Sequence, residues 1–275
     1  MADDWGEDET RRAKAALIST DVPNAARVAD FMYGGQNNFE SDRRAARALV
    51  RTAPAVTDIA PAARAFQRRM LRFLVADAGI RQFLDIGTGL PLVGNTHEVA
   101  QSLAPECRIA YVDSDPMVLA HARALMKSAP GGAVGYVDAD VRDCGAIMRG
   151  AGETLDMSQP VAVLLLFTLA YVHADADAAG VVSSLMAAVP SGSYAAIYHL
   201  ASEVDRDMDA AVGLWNTMMP AQPIRLRSRA EVGDLVAGLE LVAPGLTLVT
   251  GWRPDADDPR FIRAVPVYGV VARKP

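Results

Sequence analysis

The sequence predicts an α/β fold: a Rossmann-like, mostly parallel sheet with helices on both faces, preceded by an N-terminal helical cap. Three observations predict it. Phe83 to Pro91, FLDIGTGLP, reads as a buried strand, a sharp glycine turn and a helix start in quick succession. Two further apolar runs, Arg108–Asp113 and Ala133–Val137, follow at the spacing of strand–helix–strand units. All three runs carry an acid at or just beyond their carboxyl ends: Asp85, Asp113 and Asp140.

The elements follow in order. Met1 to Thr20 is charged and is expected to fray. Pro23 starts a short helix to about Met32, Gly34-Gly35 breaks it, and a second helix spans about Ser41 to Arg51. A long helix over Val56–Ala78 stops at Gly79. After the first strand, Asn95 and Glu98 are three apart and form a capping pair. Ser114-Asp115-Pro116 opens a helix to about Lys127, with Pro116 in the first turn. Asp143 is an N-cap for a helix near Ala146. A fourth strand at Val161–Phe167, a helix at Ala176–Ala188 and a fifth strand at Tyr194–His199 continue the alternation. Helices at Glu203–Met218 and Ser228–Leu239 precede two closing strands, Leu246–Thr250 and Val265–Ala272, around a polar loop, Arg253–Arg260. No linker divides the chain, so residues 1–78 read as a cap on a core of residues 79–275 within one unit.

Composition narrows the function. With 275 residues, 51% of them hydrophobic, the chain can bury a large core. A net charge of −6 argues against nucleic acid as the main partner, because phosphate binding needs a basic surface. Arg64, Arg68, Arg69 and Arg72 cluster at helical spacing and are expected to form a solvated face. The longest apolar run, Val161–Val172, is too short to cross a bilayer, and the acidic N-terminus is unlike a signal peptide. Cys107 and Cys144 lack metal-ligand spacing and read as free thiols. These features predict a cytoplasmic protein without a membrane partner or a metal.

The glycine turn points to a cofactor pocket but not to a dinucleotide. A pyrophosphate site wants a third glycine, and Pro91 and Leu92 stand where small residues would be needed after Gly87-Thr88-Gly89. A cofactor with a sulfonium, an amino group and a ribose, without phosphate, suits the acidic strand ends better. Asp113 is placed to accept from two ribose hydroxyls. Asp140 is placed to accept from an adenine amino group, and the amide of Val141 to meet a ring nitrogen.

PNAARVADFMYGGQNNFESDR, AFQRRMLRFL, GIRQFLDIGTGLP, NTHEVAQ and YVDSDPMVLAHAR together resemble the S-adenosyl methyltransferase family of actinobacteria, formerly a domain of unknown function, within the class I methyltransferases. The resemblance runs from about Asp21 to the C-terminus. It departs at Ala63, where Asn is expected, and at Gln36-Asn37, where Lys-Asp is common. It implies a class I methyltransferase sheet with an antiparallel C-terminal strand, and S-adenosyl-L-methionine as cofactor. The implied contacts are Tyr33, Gly35, Arg64, Asp85, Gly87, Thr88, Gly89, Asp113, Ser114, Asp140, Val141 and Phe167. Arg64 is the candidate for the cofactor carboxylate, with Arg68 and Arg69 as alternatives. Tyr33 to Phe39 is a candidate lid.

Methyl transfer from a sulfonium needs alignment more than a fixed catalytic motif. Thr168, Tyr171 and His173 follow the fourth strand, and Tyr198 and His199 close the fifth; class I methyltransferases present acceptor-side residues there. The segment after Phe167 lacks the Asn/Asp-Pro-Pro-aromatic signature of base and amide-nitrogen methylation. The reading is a methyltransferase acting on a small molecule, in a chain compatible with a homo-oligomer. Its alternatives are a nicotinamide-dependent oxidoreductase and a cofactor-binding regulatory protein without turnover.

Overall fold

The computed structural model describes residues 19–275, so the fraying expected of residues 1–18 lies outside them. Among the described residues, the first helix is α1 (Ala25–Met32), whose N-cap Asn24 accepts from the amides of Ala26 and Arg27. The second helix, α2 (Glu40–Thr52), starts where the Asp42 carboxylate accepts from the amide of Phe39. Asp42 also accepts from the Asn24 amide and pairs with Arg27 at 2.8 Å, both side chains being buried. One carboxylate thus fixes the starts of both helices, and a buried charge so surrounded by donors is compensated.

The long helix α3 (Val56–Arg72) ends in a π-helical turn, Phe73–Asp77, and the chain leaves it through Gly79 at φ +71°. Its arginines form a solvated face only in part: Arg72 is exposed and Arg68 half-exposed, but Arg69 is not. Arg69 is buried and donates to the Trp252 carbonyl at 2.8 Å and to Asp258. Arg68 pairs with Asp258 and Arg72 with Asp255. The loop after Trp252 carries carboxylates to this side of α3, which the local spacing of arginines could not reveal.

The core alternates β1 (Gln82–Ile86), α4 (Thr96–Leu103), β2 (Arg108–Asp113), α5 (Pro116–Leu125), β3 (Ala133–Asp138), α6 (Cys144–Ala151), β4 (Ala162–Leu166), α7 (Asp175–Ala187) and β5 (Tyr194–Leu200). Then come α8 (Met208–Met218), α9 (Arg229–Asp234), β6 (Glu240–Leu241), β7 (Thr247–Leu248) and β8 (Val267–Arg273). The sheet order is β3-β2-β1-β4-β5-β8-β6, with β7 also on β8. Strands β1 to β5 are parallel, and β8 lies antiparallel to β5 from Tyr194 opposite Arg273 to Leu200 opposite Val267. Alternate strand residues feed two cores. Phe83, Ile109 and Leu164 pack with Phe66, Met70 and Trp252 on one side, and Leu84, Ala110 and Val163 with Ile147 and Leu185 on the other.

Strand order reverses between β1 and β4, and in an open α/β sheet the crevice at such a switch point is where a ligand binds. Helix α8 packs on α2, so segments more than 150 residues apart in sequence meet over that crevice.

Several boundaries differ from expectation. Strand β4 stops at Leu166 because Phe167 takes a left-handed φ of +76°. Residues 203–207 stay outside α8, α9 is six residues long, and of Leu246–Thr250 only Thr247–Leu248 is strand, followed by a 3-10 turn. β6 was not expected: both of its residues are exposed, and pairing with β8 alone makes them a strand.

Candidate functional site

A cavity of about 880 Å³ lies between the N-terminal helices and the carboxyl ends of β1, β2 and β4. Tyr33, Arg64, Asp85, Gly87, Thr88, Gly89, Asp113, Ser114, Asp140, Val141 and Phe167 all line it.

Asp85 is buried, and its Oδ2 accepts from Thr96 Oγ1 at 2.6 Å. Burial pushes its pKa up to about 6, opposed by the Thr96 hydrogen bond and the Arg64 charge. Asp113 also rises to about 6, again mainly by burial, although it accepts from the Gly89 amide at 3.0 Å and the Asp115 amide at 2.9 Å. Each Asp113 oxygen takes one of those donors, so each keeps a lone pair for a further donor such as a ribose hydroxyl. Two desolvated carboxylates on one wall favour a ligand that brings positive charge and hydroxyl donors.

Arg64 answers the opposite charge. Its Nη1 donates to Gln67 Oε1 at 3.1 Å and to the Gly94 carbonyl at 3.2 Å, and its guanidinium lies 4.9 Å from the centre of the Tyr33 ring. Stacking and hydrogen bonds hold it at the cavity wall, where a carboxylate can reach it. Arg68 and Arg69, the alternatives, are engaged with Asp258 and do not line the cavity.

Asp140 is half-exposed and accepts from Arg142, through the backbone amide at 2.9 Å and the guanidinium at 3.0 Å. Arg142 in turn donates to the Tyr171 carbonyl, which ties the end of β3 to the turn after β4. Val141 sits beside it on the wall.

The two glycines of the turn differ. Gly89 has φ +68° and only open space where a Cβ would stand, so the backbone there can approach a ligand. Gly87 has φ +74°, but a Cβ would run into the Thr168 side chain; its bareness serves packing against the protein rather than the ligand space expected for it.

Some candidates sit elsewhere than expected. Gly35 is not among the lining residues, because the space beside it is filled by the carboxylate of Asp30, which does line the cavity. Of the expected lid, Tyr33 alone lines the cavity. His199 is not on the acceptor side. It is buried against Arg227: its Nδ1 donates to the Leu200 carbonyl at 2.9 Å and its Nε2 accepts from the Arg227 guanidinium, with burial pushing its pKa down to about 4. Strand alternation explains it: Tyr198 faces the cavity, so its neighbour faces away. His173 is exposed at the cavity rim.

Asp30, Gln67, Thr96 and Trp215 were missed as lining residues. Thr96 and Gln67 looked like ordinary helix positions, and only the pairing of α3 with α4 brings them together. Among the described residues, no group of His, Cys, Asp and Glu is placed to hold a metal, and no helix is long and apolar enough to cross a membrane.

A family model described as S-adenosyl methyltransferase matches residues 11–275. The structure is similar to that of a DUF574 family protein from Streptomyces avermitilis, at 39% identity and a TM-score of 0.89 over 93% of this chain and 99% of that one. It is also similar to a Thermobifida fusca protein provisionally described as a methyltransferase, at 36% identity and a TM-score of 0.84 over 92% and 96%. The plantazolicin methyltransferase BpumL, solved with S-adenosylhomocysteine, matches at 10% identity and a TM-score of 0.53 over 91% and 95%, a likeness of fold alone. No curated protein matches the sequence.

Proposed function

Because the chain belongs to the S-adenosyl methyltransferase family, we propose that it transfers a methyl group to a small molecule held beneath the cap, with the strand-end acids and Arg64 binding the cofactor. It is an S-adenosylmethionine-dependent methyltransferase with the α/β sheet and antiparallel last strand that the sequence predicted. The observation that carries the site assignment is the convergence of Asp85, Asp113, Asp140 and Arg64 on one cavity.

The donor set fits the cofactor. Arg64 would pair with its carboxylate, Asp85 with its ammonium, Asp113 with the ribose hydroxyls, and Asp140 and the Val141 amide with the adenine. Tyr33, Thr88, Ser114 and Phe167 complete the walls. The cofactor supplies a methyl group already activated on a sulfonium. What the protein adds is alignment of the acceptor and exclusion of water by the N-terminal helices α1 to α3 together with α8. The acidic surface supports a small molecule rather than nucleic acid as acceptor. The two unpaired cysteines support a reducing, cytoplasmic setting.

Calorimetric titration with S-adenosylmethionine and with NAD tests the site. Saturable binding of the first, weakened about tenfold or more in Arg64→Ala and in Asp113→Ala, is expected. Binding unaffected by both substitutions would move the cofactor elsewhere. Release of S-adenosylhomocysteine on adding a small-molecule cell extract, and not on adding nucleic acid, tests the acceptor class.

A further inference from the structure

We propose that the acceptor is an uncharged, predominantly apolar small molecule seated between the cap helices and α8. This rests on the cofactor occupying the strand-end half of the cavity, as assigned above. The volume of about 880 Å³ lies near the upper end of the ~300–1,000 Å³ typical of small-molecule sites, so a second molecule has room beside a nucleoside.

The cavity is divided by chemistry. The strand-end half carries Asp85, Asp113, Asp115 and Asp140. The opposite half is walled by apolar side chains from four helices, among them Val28 and Met32 of α1, Leu49 of α2, Ile59 of α3, and Met208, Val212 and Trp215 of α8. Only two charged residues line the cavity from the cap, α8 and the segment 221–224: Asp30 and Arg64. Arg64 is engaged, and so is one oxygen of Asp30: its Oδ2 accepts from the Asn37 amide and the Asn38 side chain, whereas its Oδ1 has no hydrogen-bond partner but is buried beside Gly35, out of reach of a molecule in the cavity. Arg64 is held by Gln67, Gly94 and Tyr33 at the cofactor end.

Two polar groups of this half, the Trp215 indole and the Gln222 side-chain carbonyl, are committed within the protein. Trp215 donates its indole N–H to the Gln222 carbonyl at 2.9 Å, and the Gln222 side chain accepts from the Ala25 amide at 3.0 Å. The Tyr33 and Tyr198 hydroxyls, 3.4 Å apart, remain as the polar mark between the two halves. A neutral phenol pair can bond one polar group of an acceptor. It cannot compensate a charge withdrawn from water, which costs several kcal/mol per ion.

The test is calorimetry on protein saturated with S-adenosylhomocysteine, titrated with 1-butanol, 1-hexanol and 1-octanol. Affinity should rise about fourfold per added methylene, the factor equivalent to the ~0.8 kcal/mol of a buried methylene. Octanoate and n-octylammonium should bind at least tenfold more weakly than 1-octanol. Val212→Glu and Ile59→Glu, both at half-buried positions, should each flatten the series while S-adenosylhomocysteine affinity stays unchanged and melting stays cooperative. Equal affinity along the series, binding of the charged chains as tight as of 1-octanol, or a gradient that survives both substitutions would overturn the proposal with the cofactor site intact. Failure of S-adenosylhomocysteine to bind the unaltered protein would instead sink the cofactor assignment, and this inference with it.

Discussion

Arg64 and Asp85, the two charges assigned to the amino-acid end of the cofactor, are joined through two neutral side chains. Arg64 donates to Gln67 Oε1 at 3.1 Å, Gln67 Nε2 donates to Thr96 Oγ1 at 3.1 Å, and Thr96 donates to Asp85 Oδ2 at 2.6 Å. The relay orients both charges without letting them neutralise each other by direct contact. Each therefore stays available to a ligand that carries a carboxylate and an ammonium side by side.

Removing the relay's last hydroxyl should be felt at the ligand. Thr96→Val keeps the shape at the first turn of α4 but leaves Asp85 without its donor. A hydrogen bond to a charged group is worth about 1.5–3 kcal/mol, so S-adenosylmethionine affinity should fall by roughly 10- to 100-fold. Calorimetry at pH 7.5 checks it, with S-adenosylmethionine binding as tight as in the unaltered protein counting against a role for Asp85.

The raised carboxylates set a pH dependence. Asp85 and Asp113, both near 6 against an ordinary value of 3.8, are more protonated in the folded chain than in the unfolded one across that interval. The stability they contribute to the unliganded protein therefore falls as pH rises from about 4 to 6. Ligand binding has the opposite sign. A cation beside Asp85 requires the ionised form, so below pH 6 binding must expel a proton, and affinity should drop by about tenfold per protonated group at pH 5. Kd measured from pH 5 to 8 should be flat above 7 and climb below 6, with a shallower climb in Asp85→Asn.

The fold was legible wherever a rule is local. Strand runs bounded by turns, the Asn95–Glu98 cap and the Gly79 stop all depend on neighbours in sequence. The three acids were legible because strand ends in a parallel sheet converge. What escaped depends on partners brought from far along the chain. Arg69 is buried by Asp258, β6 exists only against β8, and Trp215 reaches the cavity because α8 packs on α2. No window around those residues carries that information.

The glycine turn separates folding from binding. Gly87→Ala would put a methyl at φ +74° against Thr168, whose hydroxyl is committed to the Ile86 carbonyl. With ~1–2 kcal/mol for the backbone alone and a displaced side chain in addition, it should lower Tm clearly. Gly89→Ala pays a similar backbone cost but meets no protein atom, so its extra penalty should appear in cofactor affinity. Thermal melts with and without S-adenosylmethionine distinguish the two. A Gly87→Ala protein that melts like the unaltered one would contradict the packing around Thr168.

Asp113 does two jobs, since it holds the Gly89 and Asp115 amides while facing the cavity. Asp113→Ala should weaken S-adenosylmethionine by about 1.5–3 kcal/mol through the lost ribose contacts, and somewhat more through loosening of the glycine turn. Methionine alone carries no ribose, so its weaker binding should change less than that of the whole cofactor. Equal losses for the two ligands would assign Asp113 to the loop only.

The segment after α1 was expected to close over the ligand, and its hydrogen bonds now argue how far it can move. The amides of Gly34 and Gly35 donate to the Phe31 and Asp30 carbonyls, and that of Asn37 donates to Asp30 Oδ2 at 2.9 Å. Asp30 thus fastens the turn from inside the cavity wall, while Gly35 makes room for its carboxylate. A lid would have to break these bonds to open, so we expect the amides of Gly34, Gly35 and Asn37 to exchange slowly even without ligand. Added S-adenosylmethionine should extend protection mainly at Tyr33, whose ring stacks on Arg64. Asp30→Ala should release the turn, speeding exchange at Asn37 by at least tenfold and reducing the ligand-induced protection at Tyr33. Fast exchange across Gly34 to Asn38 in the unliganded protein, slowed by ligand, would instead restore a hinged lid.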